Sequence, residues 1–133
     1  MHGIDVAYVE EKFREDSKES IVKFVNKQRL ARKDKWYFIS IIFKLNEKFT
    51  ASILCKGYNT WIQLWKTIIK DNDTNETLHK TVLESTMDLS VKEYKEWLKN
   101  SVDASYNEIN YFLTIDEKVR NLCCEYKKYS ALS

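Results

Sequence analysis

Proline is absent from this chain, and there are two glycines and three cysteines among 133 residues. So little of either turn-former argues against a long flexible linker, and against the glycine-rich loop whose backbone closes around a phosphate. Cys55, Cys123 and Cys124 are odd in number and two are adjacent, unlike a secreted disulfide framework. A reducing compartment is expected instead. The first five residues lack the basic start and apolar run of a signal peptide, so the expected location is cytoplasmic, in a cell or an infected host. No apolar run approaches the length that spans a bilayer, and no membrane partner is expected.

A dominant charge is missing too. The 22 basic and 20 acidic residues are interspersed and leave a net charge of +2, so no single-sign field draws a polyanion from a distance. Among the basic residues only Arg14, Arg29, Arg32 and Arg120 carry the guanidinium fork that phosphate and base readers rely on.

Chemistry-bearing patterns are equally sparse. Two histidines, His2 and His79, and three cysteines with no Cys-x-x-Cys spacing do not make a zinc site. Free cysteines of this kind serve most often as small core residues. Cys55 or Cys124 with His79 lacks a third orienting group. Glu93 and Lys95 offer a Glu-x-Lys, but Ser90 and Glu93 form a capping box that gives Glu93 a structural role. Asp71 and Asp73 lie in a polar run without the glycine and distal glutamate of a calcium loop. The expectation is a non-enzymatic protein with no metal and no cofactor.

What the chain does have is aromatic and apolar patterning. The run 36–45 is the densest apolar stretch, and Tyr37, Ile39, Ile41, Phe43 and Leu45 recur at the spacing of two that a strand requires. Its other face, Trp36, Phe38, Ser40, Ile42 and Lys44, is apolar near its start. That predicts a central strand covered on both sides over part of its length. After Asn46, Glu47 and Lys48 the run 49–56 alternates again, which predicts a hairpin over 36–56 with Gly57 as the next break.

Val6, Val9 and Phe13, then Ile21, Phe24, Val25 and Leu30, follow helical spacing and predict two helices or one kinked helix, with a capping box at Asp16 and Glu19 and the second helix over 17–31. Trp61, Leu64, Trp65, Ile68 and Ile69 predict a helix over 61–70, a third meander strand being the alternative. Residues 71–76 read as a surface loop. The capping box at Ser90 starts a helix running to about residue 101, and 108–115 alternates as a strand. Thr114 and Glu117 then cap a last amphipathic helix, packed on the sheet through Val119, Leu122, Cys123, Tyr126 and Tyr129. That packing leaves Cys124 the more exposed of the two adjacent cysteines.

The fold this implies is α+β, a small antiparallel sheet around the central hairpin packed with several amphipathic helices, all in one domain over 1–133. Four tryptophans and eight tyrosines are more rings than so small a core needs, and Trp, Tyr and Arg carry interface energy. The leading functional expectation is therefore a protein-binding module. A small inhibitor fits it, such as a toxin-immunity protein or a virus-encoded antagonist that occupies its partner's surface. Tyr58, Trp61 and Trp65 are the candidate contact rings, with Arg29, Arg32 and Lys33 as candidate cations. Self-association as a homodimer through the same surface is a variant. The alternative is nucleic-acid binding by the basic run 27–35, which leads directly into Trp36, Tyr37 and Phe38. Cancelling acidic residues make it the weaker of the two.

Overall fold

Strand β2 (Trp36–Lys44) lies between two different kinds of neighbour: a parallel strand, β1 (Asp5–Glu10), on one side and an antiparallel one, β3 (Phe49–Tyr58), on the other. The computed structural model describes residues 5–85 and 89–132. The parallel pairing requires a crossover, which a 3-10 turn (Glu15–Ser17) and helix α1 (Lys18–Ala31) supply. Strands β4 (Trp61–Asp71) and β5 (Thr77–Glu84) continue the meander, giving one five-stranded sheet in the order β1-β2-β3-β4-β5. Helix α2 (Val91–Leu132) follows. The architecture is α+β with a mixed sheet, and the described residues form two α-helices rather than several.

One face of the sheet holds the core. Ile39 pairs with Cys55 and Cys55 with Trp65, while Ile41, Ile53 and Thr67 make the adjoining row. All six are buried, and Ile21 and Val25 of α1 with Tyr94, Leu98, Val102, Tyr106 and Ile109 of α2 close over them. Several of the polar groups drawn in are paired. The Trp65 indole donates to Ser105 Oγ at 2.8 Å, and Thr67 Oγ1 lies 2.7 Å from the same hydroxyl. The Ser17 hydroxyl bonds the Tyr106 hydroxyl and also donates to the Arg14 carbonyl at 2.6 Å, tying the 3-10 turn to α2.

The departures from sequence expectation have local causes. Residues 5–10 form a strand, because six residues pairing along β2 gain more than an isolated helical turn can. Helix α1 has the expected span, but no side-chain hydrogen bond caps it at Ser17, whose hydroxyl serves Arg14 and Tyr106. Residues 61–70 are a strand. Its register against β3 shifts at Lys56 and Gly57, and this bulge puts Ile62, Trp65, Thr67 and Ile69 on the core side while disguising the period of two. Gly57 sits inside β3 instead of breaking it, and the chain reverses at Asn59 with φ 50°, which asparagine tolerates. The Ser90 capping box forms as expected, with Glu93 N donating to Ser90 Oγ at 3.2 Å and Ser90 N to Glu93 Oε1 at 3.3 Å. Residues 108–115 belong to α2. Their alternation is accidental: Ile109 is buried on the sheet while Tyr111 and Ile115 face outwards.

Candidate functional site

Helix α2 is longer than the sheet it packs on. Its 42 residues span about 63 Å, whereas the longest strand, β4, has 11 residues and spans about 36 Å. Among the residues whose side chains are described, its last fully buried one is Ile109, with Phe112 and Leu113 still partly covered. Beyond them the helix leaves the core, so the expected packing of the terminal helix against the sheet is replaced by exposure.

The projecting half is not polar on every face. Tyr111, Ile115, Val119, Leu122 and Tyr126 are 70, 40, 52, 65 and 74% exposed. At 100° per residue they fall within an arc of about 80°, centred about 100° away from the residues that face the core. The stripe is thus a second apolar face. At its base, beside β5, His79, Asn107, Glu108, Tyr111, Phe112 and Ile115 line a groove of about 470 Å³. His79 Nε2 lies 3.3 Å from Glu108 Oε2 and 3.1 Å from Thr81 Oγ1. Farther out, a shallower groove is lined by Val119, Leu122, Cys123 and Tyr126.

A second surface lies on the sheet face opposite the helices. Trp36, Tyr58 and Trp61 cluster there, with ring centroids 5.6 Å apart for Trp36 and Tyr58 and 5.2 Å for Trp36 and Trp61. Lys56 Nζ stands 5.2 Å from the Trp36 ring and 5.3 Å from the Phe38 ring. By strand register Lys44, Lys66, Lys70 and Lys80 share this face, with Glu10 and Glu84 opposing them at its two edges. The expected cover on both sides of β2 is not supplied by either helix.

The six residues singled out from the sequence do not form one site. Tyr58 and Trp61 meet on the open sheet face, where the Trp61 indole donates to the Ser85 carbonyl at 2.8 Å. Trp65 is on the opposite side, 1% exposed and packed at 6.1 Å on Trp97. Arg29 is 7% exposed: its guanidinium lies 4.8 Å from the Tyr94 ring centre and donates to Asn26 Oδ1 at 2.8 and 3.1 Å. Arg32 bonds Gln28, and Lys33 is exposed. Trp65 and Arg29 are therefore structural within this chain. The spacing of Val119, Leu122 and Tyr126 was visible in the sequence, but nothing in it said that the sheet ends before they begin.

Burial pushes the Cys55 thiol well above its ordinary range, whereas Cys123 and Cys124 are both exposed, contrary to the expectation that Cys123 is buried. A thiol reagent at neutral pH is thus expected to titrate two cysteines in the native protein and the third only after denaturation. Three rapid equivalents would contradict the placement of Cys55. Among the described residues, no group of three or more His, Cys, Asp or Glu is placed to hold a metal, and no helix is long and apolar enough to cross a membrane. No protein-family model matches the chain, and comparison with curated proteins and with solved structures finds no match.

Proposed function

We propose that the protein is a non-enzymatic protein-binding module whose docking surface is the projecting half of α2. One observation carries the reading: a helical apolar stripe from Tyr111 to Tyr126 that nothing else in the described chain covers. Isolated helices are marginal in water, and a helix that projects with an apolar face gains stability when a complementary face covers it. The occupant this chemistry fits is another helix with apolar residues at matching intervals. An inhibitor that works by occupying its target's surface, in the manner of an immunity protein or a viral antagonist, requires no chemistry beyond this contact.

A second reading attaches to the open sheet face. Lysines interleaved with Trp36, Phe38, Tyr58 and Trp61 suit single-stranded nucleic acid, whose phosphates seek cations and whose bases stack on rings. The basic run 27–35 supports it less directly, because Arg29 is turned inward.

Capture of partners from native extract by immobilised wild-type and Leu122→Asp proteins tests both, at low and high salt and with nuclease. Leu122 is 65% exposed, so the substitution leaves the fold intact but would place a carboxylate in any apolar contact. The expected result is a protein partner that survives salt and nuclease and whose recovery falls about tenfold or more with the variant. Equal recovery by both proteins overturns the α2 reading. Recovery of nucleic acid that vanishes at high salt transfers the function to the sheet face.

A further inference from the structure

We infer that the occupant of the α2 stripe is a second copy of this chain, paired antiparallel over residues 115–126. The inference rests on the protein-binding reading and names its partner.

The stripe has the spacing of a two-stranded coiled coil, four-three-four from Ile115 through Val119 and Leu122 to Tyr126. In heptad terms Val119 and Tyr126 occupy a positions, and Ile115 and Leu122 occupy d positions. Antiparallel pairing about a two-fold axis sets a against d, so Ile115 faces the second copy's Tyr126 and Val119 faces its Leu122. The flanking g positions are Lys118 and Glu125, and in such a pair g lies beside g. Lys118 then stands beside the second copy's Glu125, and symmetry repeats the pair.

Charge selects this register from its neighbours. Sliding one copy by a heptad in one direction sets Lys118 against Lys118, and in the other direction sets Glu125 against Glu125. Parallel alignment puts Lys118 beside Cys123 and pairs no opposite charges at these positions. One arrangement therefore satisfies both the apolar stripe and its charged flank, and each heptad slip makes like charges meet.

The bodies of the two copies also have room. Leu113, the last described hydrophobic side chain packed against the core, would stand opposite residue 128 of the second copy, so the two sheets lie at opposite ends of the shared segment. The contact is short, about four apolar layers over about 18 Å, so a weak dimer is expected, with a dissociation constant at about micromolar or above.

Sedimentation velocity of the full chain, over a concentration series that brackets micromolar, tests the inference. Wild type is expected to pass from monomer to dimer, and Leu122→Asp to remain monomeric. Lys118→Glu and Glu125→Lys should each weaken the dimer about tenfold, since either change turns two attractive pairs into two repulsive ones. The double variant Lys118→Glu, Glu125→Lys should restore wild-type association. Circular dichroism of each variant confirms that α2 is retained. A wild type that stays monomeric throughout overturns the second-copy inference, as does a double variant no stronger than the weaker single one. If wild type is monomeric but Leu122→Asp still loses its partner from extract, the self-pairing is wrong and the protein-binding reading stands. If it is monomeric and the variant captures as well as wild type, both fall.

Discussion

Replacing Trp65 with alanine is expected to lower the folding stability by about 3–5 kcal/mol, enough to leave the chain partly unfolded at ordinary temperature. Trp65 is among the largest fully buried side chains, and it sits where β4, α2 and the Trp97 ring meet. Truncation removes that volume together with the indole N–H that donates to Ser105 Oγ at 2.8 Å. Trp65→Phe should cost less, because a phenyl ring keeps most of the buried volume, while in both variants Thr67 Oγ1, 2.7 Å from Ser105 Oγ, still pairs with that hydroxyl. Urea titration followed by circular dichroism at a helical wavelength reads both values. A loss below about 1 kcal/mol for the alanine variant would place the ring outside the core.

Gly57→Ala is the second large effect, expected at about 3 kcal/mol and arising from crowding. A Cβ at Gly57 would stand 2.7 Å from the Trp61 carbonyl oxygen, which is backbone, and would run into the Tyr37 ring from the neighbouring strand. Tyr37 cannot easily move aside. It is fully buried, and its hydroxyl donates to the Asn59 carbonyl at 3.3 Å in the turn that joins β3 to β4. Burial and the neighbouring Tyr94 and Cys55 keep this phenol protonated well beyond the ordinary tyrosine range. Tyr37→Phe combined with Gly57→Ala should recover little, since the obstructing backbone oxygen remains. Full recovery in that double variant would show that the hydroxyl alone sets the need for glycine.

These two sites also show how much of the fold the sequence made legible. The central hairpin was plain because β2 and β3 alternate without interruption, and the starts of α1 and α2 were marked by polar residues before an apolar period. Strand β4 was obscured by its bulge, which shifts Ile62 and Trp65 onto one face three residues apart and imitates a helix. The alternation at 109–115 misled for the opposite reason. A helix with one face on the core and another facing solvent can carry apolar residues at every second position. Neither error could be resolved by propensity, because both depend on which neighbour the segment meets.

The candidate site was less legible than the fold. Exposure of Leu122 and Tyr126 follows from a length mismatch between α2 and the sheet, a property of the assembled chain and not of any local window. Trp65 and Arg29 attracted notice as interface residue types, yet the same qualities that suit them to interfaces fill this core. A large ring with one donor finds Ser105, and a planar cation finds the Tyr94 face.

Backbone hydrogen exchange across α2 tests the central claim most directly, measured on the full chain at rising concentration and in complex with the partner captured from extract. Residues 94–109 are held by the core and should exchange slowly under every condition, whereas 115–126 should exchange quickly in dilute solution and become protected when the stripe is covered. Fast exchange of 115–126 under every condition, with protection appearing elsewhere in the complex, would contradict the assignment of this face as the docking surface.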